Sequence, residues 1–296
     1  MDAFTKYWKN TLSTLERYPV SAELEIIPMR STDFATMYGV RITSIGPYRL
    51  FGYLSIPNGN GRHPAIYYAG KYGSVLETIP QGTSNYIRSR FITFSIGTRG
   101  QRNSDQPFSA MFPGLLTKDL HKYQNYIFRS IAADCVRGLE FLISNDNVDP
   151  TRVVAVGNDL SLISASLHEG ITHVVCTPDL FHRTMSRASK TSSYPLEEIN
   201  DYLRLHSEKE SAIENTLSYF ELDLFARSVK SKTLVMAGPS GSDLDKRSLR
   251  SIELALQETV TIHESENSSY LDGLFSTKWI TDEFGFNEPI LPSHWR

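Results

Sequence analysis

The sequence predicts an α/β fold: a doubly wound, mostly parallel sheet with helices on both faces. Two observations predict it. The runs PAIYYAG, FITFSIG, RVVAVG, HVVCTP, TLVMAG and VTIHE are apolar without alternation, as strands covered on both faces are. Between them lie helical patterns and turns rich in Asn, Asp, Pro and Gly, so strand and crossover helix repeat along the chain.

The elements follow in order. Residues 1–20 form a helical N-terminal extension. YRLFGYLSIP, Tyr48 to Pro57, alternates and reads as an antiparallel strand with one wet face. Between FITFSIG and RVVAVG, Ile131, Cys135, Val136, Leu139, Leu142 and Ile143 share one helical face, which makes that segment a crossover helix. NDNVDPTR then resets the chain into RVVAVGNDLSLISASL, Arg152 to Leu167, which reads as strand, tight turn and helix. Residues 182–230 are rich in Ser, Glu and Tyr, with helical patches LEEINDYLRLH and NTLSYFELDLFARSV. This insertion is expected over the carboxyl ends of the strands, where open α/β sheets keep their ligand crevice. With no repeat, low-complexity tract or linker, residues 1–296 are expected to form a single domain.

Composition narrows the function classes. The 296 residues are 40% hydrophobic and 21% charged, the profile of a globular protein able to bury a large core. A formal net charge of −3, with both signs mixed along the chain, gives no electrostatic reason to bind nucleic acid or an anionic membrane. No segment approaches 18 uninterrupted apolar residues and the N-terminus lacks an apolar leader, so a cytoplasmic protein is expected. Cys135 and Cys176 read as buried apolar thiols, and neither a metal site nor a cofactor is expected.

Several motifs recur together. FGYLSIP, PAIYYAGKYG, TRGQ (Thr98 to Gln101), YIFRSIAADCVRGLEFL, VDPTRVVAVGND and TLSYFELDLFA, in this order and spacing from about Phe4 to about Phe284, resemble the acetylxylan esterase and cephalosporin C deacetylase family, carbohydrate esterase family seven. The resemblance implies an α/β-hydrolase fold with a helical insertion over the carboxyl edge. It implies deacetylation of small carbohydrates by a Ser-His-Asp mechanism, commonly in a homohexamer. It also implies a serine in the strand-to-helix elbow, where this chain has Asp159. The acidic slot falls at Gly241, with Asp243 two residues on, and the histidine slot at Asn267 or Ser268. His263 lies several residues too early. The backbone amides of Tyr72 and Leu160 fall where the family forms its oxyanion hole, although Lys71 replaces the glycine that usually precedes that tyrosine. Arg99 and Gln101 fall at the end of a strand near the pocket.

Without a serine, a base and an orienting acid, ordinary esterase chemistry is not expected. Three functions stay open. Asp159 acts as nucleophile or base, as aspartate does at the elbow of haloalkane dehalogenases and epoxide hydrolases, with His182 the candidate to activate water. Alternatively the protein is an inactive pseudoenzyme that binds a small ligand or partner. Thirdly, it retains residual deacetylase activity. Asp159 also reads as a helix N-terminal carboxylate kept ionised by the macrodipole. Arg99 reads either as a partner of Asp159 or an anionic ligand, or as a structural arginine tying loops together. Ser161 reads as a first-turn helix residue, and Asp179, Asp243 and Asp245 as turn residues. The aromatic termini FTKYW and FGFNEPILPSHW are expected to dock on their own domain or on a second subunit, and a homo-oligomer acting on a small molecule is expected overall.

Overall fold

The computed structural model describes residues 1–73, 80, 82–256 and 260–287. Helix α1 (Ala3–Leu15) opens the chain, with Asp2 accepting the Thr5 amide as its N-cap. Its aromatic face is buried against its own chain. Trp8 Nε1 donates to Tyr219 O at 2.9 Å, the Tyr7 hydroxyl donates to Tyr123 O at 2.7 Å, and the Phe4 ring meets Phe225 edge-on at 4.9 Å. The FTKYW segment therefore docks on its own domain, while residues 288–296 of the C-terminal aromatic stretch lie outside the described residues.

Among the described residues the strands β1 (Glu23–Ile26), β2 (Ala35–Thr43), β3 (Arg49–Pro57), β4 (His63–Tyr68), β5 (Ile92–Gly97), β6 (Val148–Gly157), β7 (His173–Cys176), β8 (Lys232–Ala237) and β9 (Val260–Glu264) form one nine-stranded sheet. The order is β1-β2-β3-β5-β4-β6-β7-β8-β9. The strands from β5 through β4 to β9 run parallel, and β1, β2, β3 and β5 pair antiparallel. Every continuous apolar run is a parallel strand, and the alternating run is β3. The two strands at the antiparallel edge carry no such signature. All of β1 is exposed, and β2 holds a mid-strand glycine, Gly39, facing the Phe51 ring.

Helices α2 (Ile127–Ile143) and α3 (Asp159–Leu167) belong to the main core with the inward residues of β3 to β7. On the opposite face, Ile280 of helix α9 (Ser269–Glu283) and Phe284 pack on Ile66, Val154, Val175 and Leu234. Each such apolar side chain removed from water stabilises the fold by about 1.5–3 kcal/mol. Gly138 lets α2 approach the sheet, since a Cβ there would lie 2.8 Å from the Tyr67 hydroxyl. That hydroxyl donates to Cys135 O at 2.7 Å. Cys135 and Cys176 are buried and free, and burial pushes the Cys135 thiol up to about 12.

Between β7 and β8 the chain forms helices α4 (Thr184–Ala188), α5 (Glu197–Leu205), α6 (Glu210–Leu217) and α7 (Leu222–Ala226), which correspond to the expected insertion. Helix α7 packs on α3, so the insertion is anchored to the helix that follows the elbow. No helix among the described residues is long and apolar enough to cross a membrane.

Candidate functional site

Strand β6 ends at Gly157 and α3 begins at Asp159. Gly157 is needed here because a Cβ would lie 3.3 Å from Ala69 Cβ, on the neighbouring strand's exit. In a hydrolase elbow the nucleophile sits on a strained turn. Here Asp159 does not adopt a left-handed conformation. Asn158 is near-extended, with φ −91° and ψ −149°. Among the described residues, the non-glycine positions with positive φ are Ser21, Asp119, Arg183 and Asn267, so Asp159 is not one of them.

The Asp159 residue is 2% exposed, and both of its carboxylate oxygens accept backbone amides. Its Oδ1 accepts the amides of Phe181 at 3.0 Å and Asp179 at 3.3 Å, and its Oδ2 accepts that of Leu180 at 2.9 Å. Burial pushes this carboxyl above its ordinary range, the nearby Asp179 adds to the rise, and the three amides oppose it. Tyr72 and Leu160 do flank the same void, together with Gly70, Phe128 and Phe181. That void measures about 10 Å³, roughly one water at most.

The other candidates lie elsewhere. His182 is buried, with Nε2 donating to Ser248 O at 3.1 Å and Nδ1 3.3 Å from Asp223 Oδ1. The structure thus gives the ring partners on the loop before helix α8 (Arg250–Leu256) and on α7, rather than the Asp159 carboxylate. Burial raises the Asp223 carboxyl, and His182, Ser251 and the Arg183 charge together more than offset this, leaving it below its ordinary value.

Arg99 pairs with Asp134 of α2, not with Asp159. Its Nε and Nη2 reach the two Asp134 oxygens at 2.8 and 2.7 Å, Nη2 also reaches Ile45 O at 2.9 Å, and the guanidinium lies over the Tyr48 ring. Gln101 accepts the Thr98 amide at 2.7 Å through Oε1, and its Nε2 lies 3.4 Å from Lys71 O. It thereby holds the loop that carries Tyr72. The Ser161 hydroxyl donates to the carbonyls of Asn158 at 2.8 Å and Val175 at 3.1 Å, inside the first turn of α3.

The three triad slots carry turn and cap chemistry. Gly241 has φ +84°, a conformation that favours glycine, and its amide donates to Asp245. Asp243 pairs with Arg187 at 2.8 Å. Asn267 has φ +58°, and Ser268 caps α9 by accepting the Leu271 amide. His263 Nε2 donates to Asp272 Oδ1 at 2.9 Å, and Ser265 holds the other Asp272 oxygen at 2.6 Å. This small network ties β9 to α9 through the loop in which the triad histidine was expected.

Beside the elbow, and sharing Asp179 with it, opens a cleft of about 660 Å³. The insertion lines one side with His182, Arg183, Arg187 and Lys190, and the loop after β8 lines the other with Gly241, Ser242 and Asp243.

The sheet order, the β6–α3 elbow and a crevice at the carboxyl edge define an α/β-hydrolase. The chain belongs to the acetyl xylan esterase (AXE1) family, whose family model matches residues 1–248. It is 25% identical over 241 residues to acetyl esterase Axe7A of Xylanibacter ruminicola, covering 76% of this chain and 53% of that protein. The chain therefore spans about half the length of this curated relative. Its fold is similar to that of the acetyl xylan esterase from Paenibacillus sp. R4, with a TM-score of 0.82, 18% identity and 95% of each chain covered. It is also similar to acetyl xylan esterase 1 from Thermoanaerobacterium sp. JW/SL YS485, with a TM-score of 0.78, 20% identity, and 95% of this chain and 93% of that one covered.

Proposed function

We propose that this family member is a small-ligand binder in which Asp159 has an architectural role rather than that of a nucleophile or base. One observation carries the reading: both carboxylate oxygens of Asp159 are occupied by the backbone amides of residues 179–181. A carboxylate that attacks carbon must present a lone pair to open space, and the ester it forms must be cleaved by activated water. Asp159 faces a void of about 10 Å³, and the His182 ring is held by Ser248 and Asp223. Ligand binding then falls to the adjoining cleft, which is large enough for a small polar molecule.

A second reading, altered hydrolysis through Asp159, draws support from the Tyr72 and Leu160 positions on the same void. Residual deacetylation is a third, by family membership. The test is hydrolysis of p-nitrophenyl acetate and acetylated xylo-oligosaccharides by the purified chain. The expected result is no turnover above background. Turnover abolished by Asp159→Ala selects the second reading, and turnover unaffected by it selects the third.

A further inference from the structure

The cleft beside the elbow carries an excess of cations. Arg183, Arg187 and Lys190 follow one another at helical spacing along α4 and its ends, and all three line the cleft. Arg187 is pre-organised: its side chain is 11% exposed, Nε pairs with Asp243 Oδ2 at 2.8 Å, and Nη1 donates to Asp179 O at 2.6 Å. That leaves its Nη2 unengaged among the described residues. Arg183 and Lys190 are exposed, and neither side chain makes a hydrogen bond or ion pair among the described residues. Asp179 and Asp243 are the opposing carboxylates in the cleft. Asp243 is already matched by Arg187, and Asp179 accepts from Asn158 Nδ2 at 3.1 Å, so both carboxylates are engaged by the protein. The cleft also has unmet polar capacity, because the Ser242 hydroxyl in its wall is buried with no hydrogen-bond partner among the described residues.

We propose that this cleft binds a hydroxylated small anion, a sugar-sized carboxylate or phosphate, through Arg183, Arg187 and Lys190. The inference rests on the reading that the cleft, and not the elbow, is the ligand site. A fixed guanidinium fork suits the planar or tetrahedral oxygens of such an anion. Exposed Lys190 supplies further charge, and Arg183 adds to it although Glu221 and Asp223 lie near enough to offset part of its field. Ser186 and Thr191 also line the cleft and add polar groups to its wall.

The experiment is calorimetric titration of the full chain with gluconate, glucose 6-phosphate and uncharged sorbitol at fixed ionic strength. Gluconate or glucose 6-phosphate is expected to bind at least about tenfold more tightly than sorbitol, and the stronger of the two identifies the anion class. Arg187→Gln is expected to weaken binding about tenfold. Lys190→Gln, at an exposed position that leaves the fold unchanged, is expected to weaken it about threefold. Equal binding of sorbitol, no binding of either anion, or affinities indifferent to both Arg187→Gln and Lys190→Gln overturn the inference. The elbow reading is checked separately by the esterase assay, so its failure would be seen as Asp159-dependent turnover.

Discussion

Asp159 Oδ2 accepts the Leu180 amide at 2.9 Å, so the residue in the nucleophile slot joins the β6–α3 elbow to the loop that leaves β7. The carboxylate substitutes for what would otherwise be unpaired buried amides.

Replacing Asp159 with serine is therefore expected to destabilise the protein and restore no esterase activity. The shorter side chain cannot meet the amides of 179–181 together. Each buried donor left unsatisfied costs about 1–3 kcal/mol, so a loss of roughly 2–4 kcal/mol is expected. Urea unfolding measures it, and an unchanged midpoint would show that the carboxylate is not structural.

Arg99→Lys is expected to cost about 3 kcal/mol, since an ammonium cannot serve both Asp134 oxygens and the Ile45 carbonyl. Thermal unfolding checks this. A substitution tolerated without loss would mean that Asp134 is adequately satisfied by the Ser44 hydroxyl and the Arg99 amide alone.

Acid sensitivity is expected at the turn that feeds β6. Burial is the largest single influence and pushes Asp149 up, but the hydrogen bonds from Thr151 and Arg152 and the Arg152 charge together outweigh it, bringing the carboxyl from 3.8 to about 2. A depressed folded value means that the stabilisation is fully present above about pH 4 and is lost as pH falls toward 2. Because the Arg152 side chain that pairs with it is 36% exposed, screening reduces the contribution to roughly 1 kcal/mol. Asp149→Asn should lower stability at pH 6 by about that amount and flatten its fall between pH 4 and 2. Parallel curves for the two proteins would refute the assignment.

A homo-oligomer is the expected state in solution. Strand β1 leaves an open sheet edge with Leu24 48% and Ile26 55% exposed, and Met29 stands beside it almost wholly in water. Light scattering at micromolar concentration should give a multiple of 33.5 kDa. A monomer mass would refute the expectation.

The parallel half of the sheet was legible because β4, β5, β7 and β8 are largely buried on both faces and their apolar sequences show it, while the edge strand β9 keeps a short apolar run. Strand β1 was not, since Glu23, Leu24, Glu25 and Ile26 are all exposed and owe their conformation to pairing with β2. At the site, the motif placed Asp159, Tyr72 and Leu160 around one void, and it located the altered triad slots. The residues that occupy the carboxylate were hidden: Asp179, Leu180 and Phe181 contribute amides, which carry no side-chain signature. The same holds for His182, whose partner Asp223 lies 41 positions on, across the insertion. Arg99 had an identifiable structural alternative, yet its acid, Asp134, is one polar residue in an otherwise apolar helix face. Its burial is the signal that a search for the arginine's partner would use.

The Trp8–Tyr219 hydrogen bond joins residues 211 positions apart. During synthesis α1 emerges well before the aromatic bed that receives it, which is among the last parts of the insertion to be made. At ribosomal rates of about 5–20 residues per second, the helix waits roughly 10–40 s with its apolar face uncovered. In the cell, the nascent chain thus presents a hydrophobic helix to chaperones well before its seat exists.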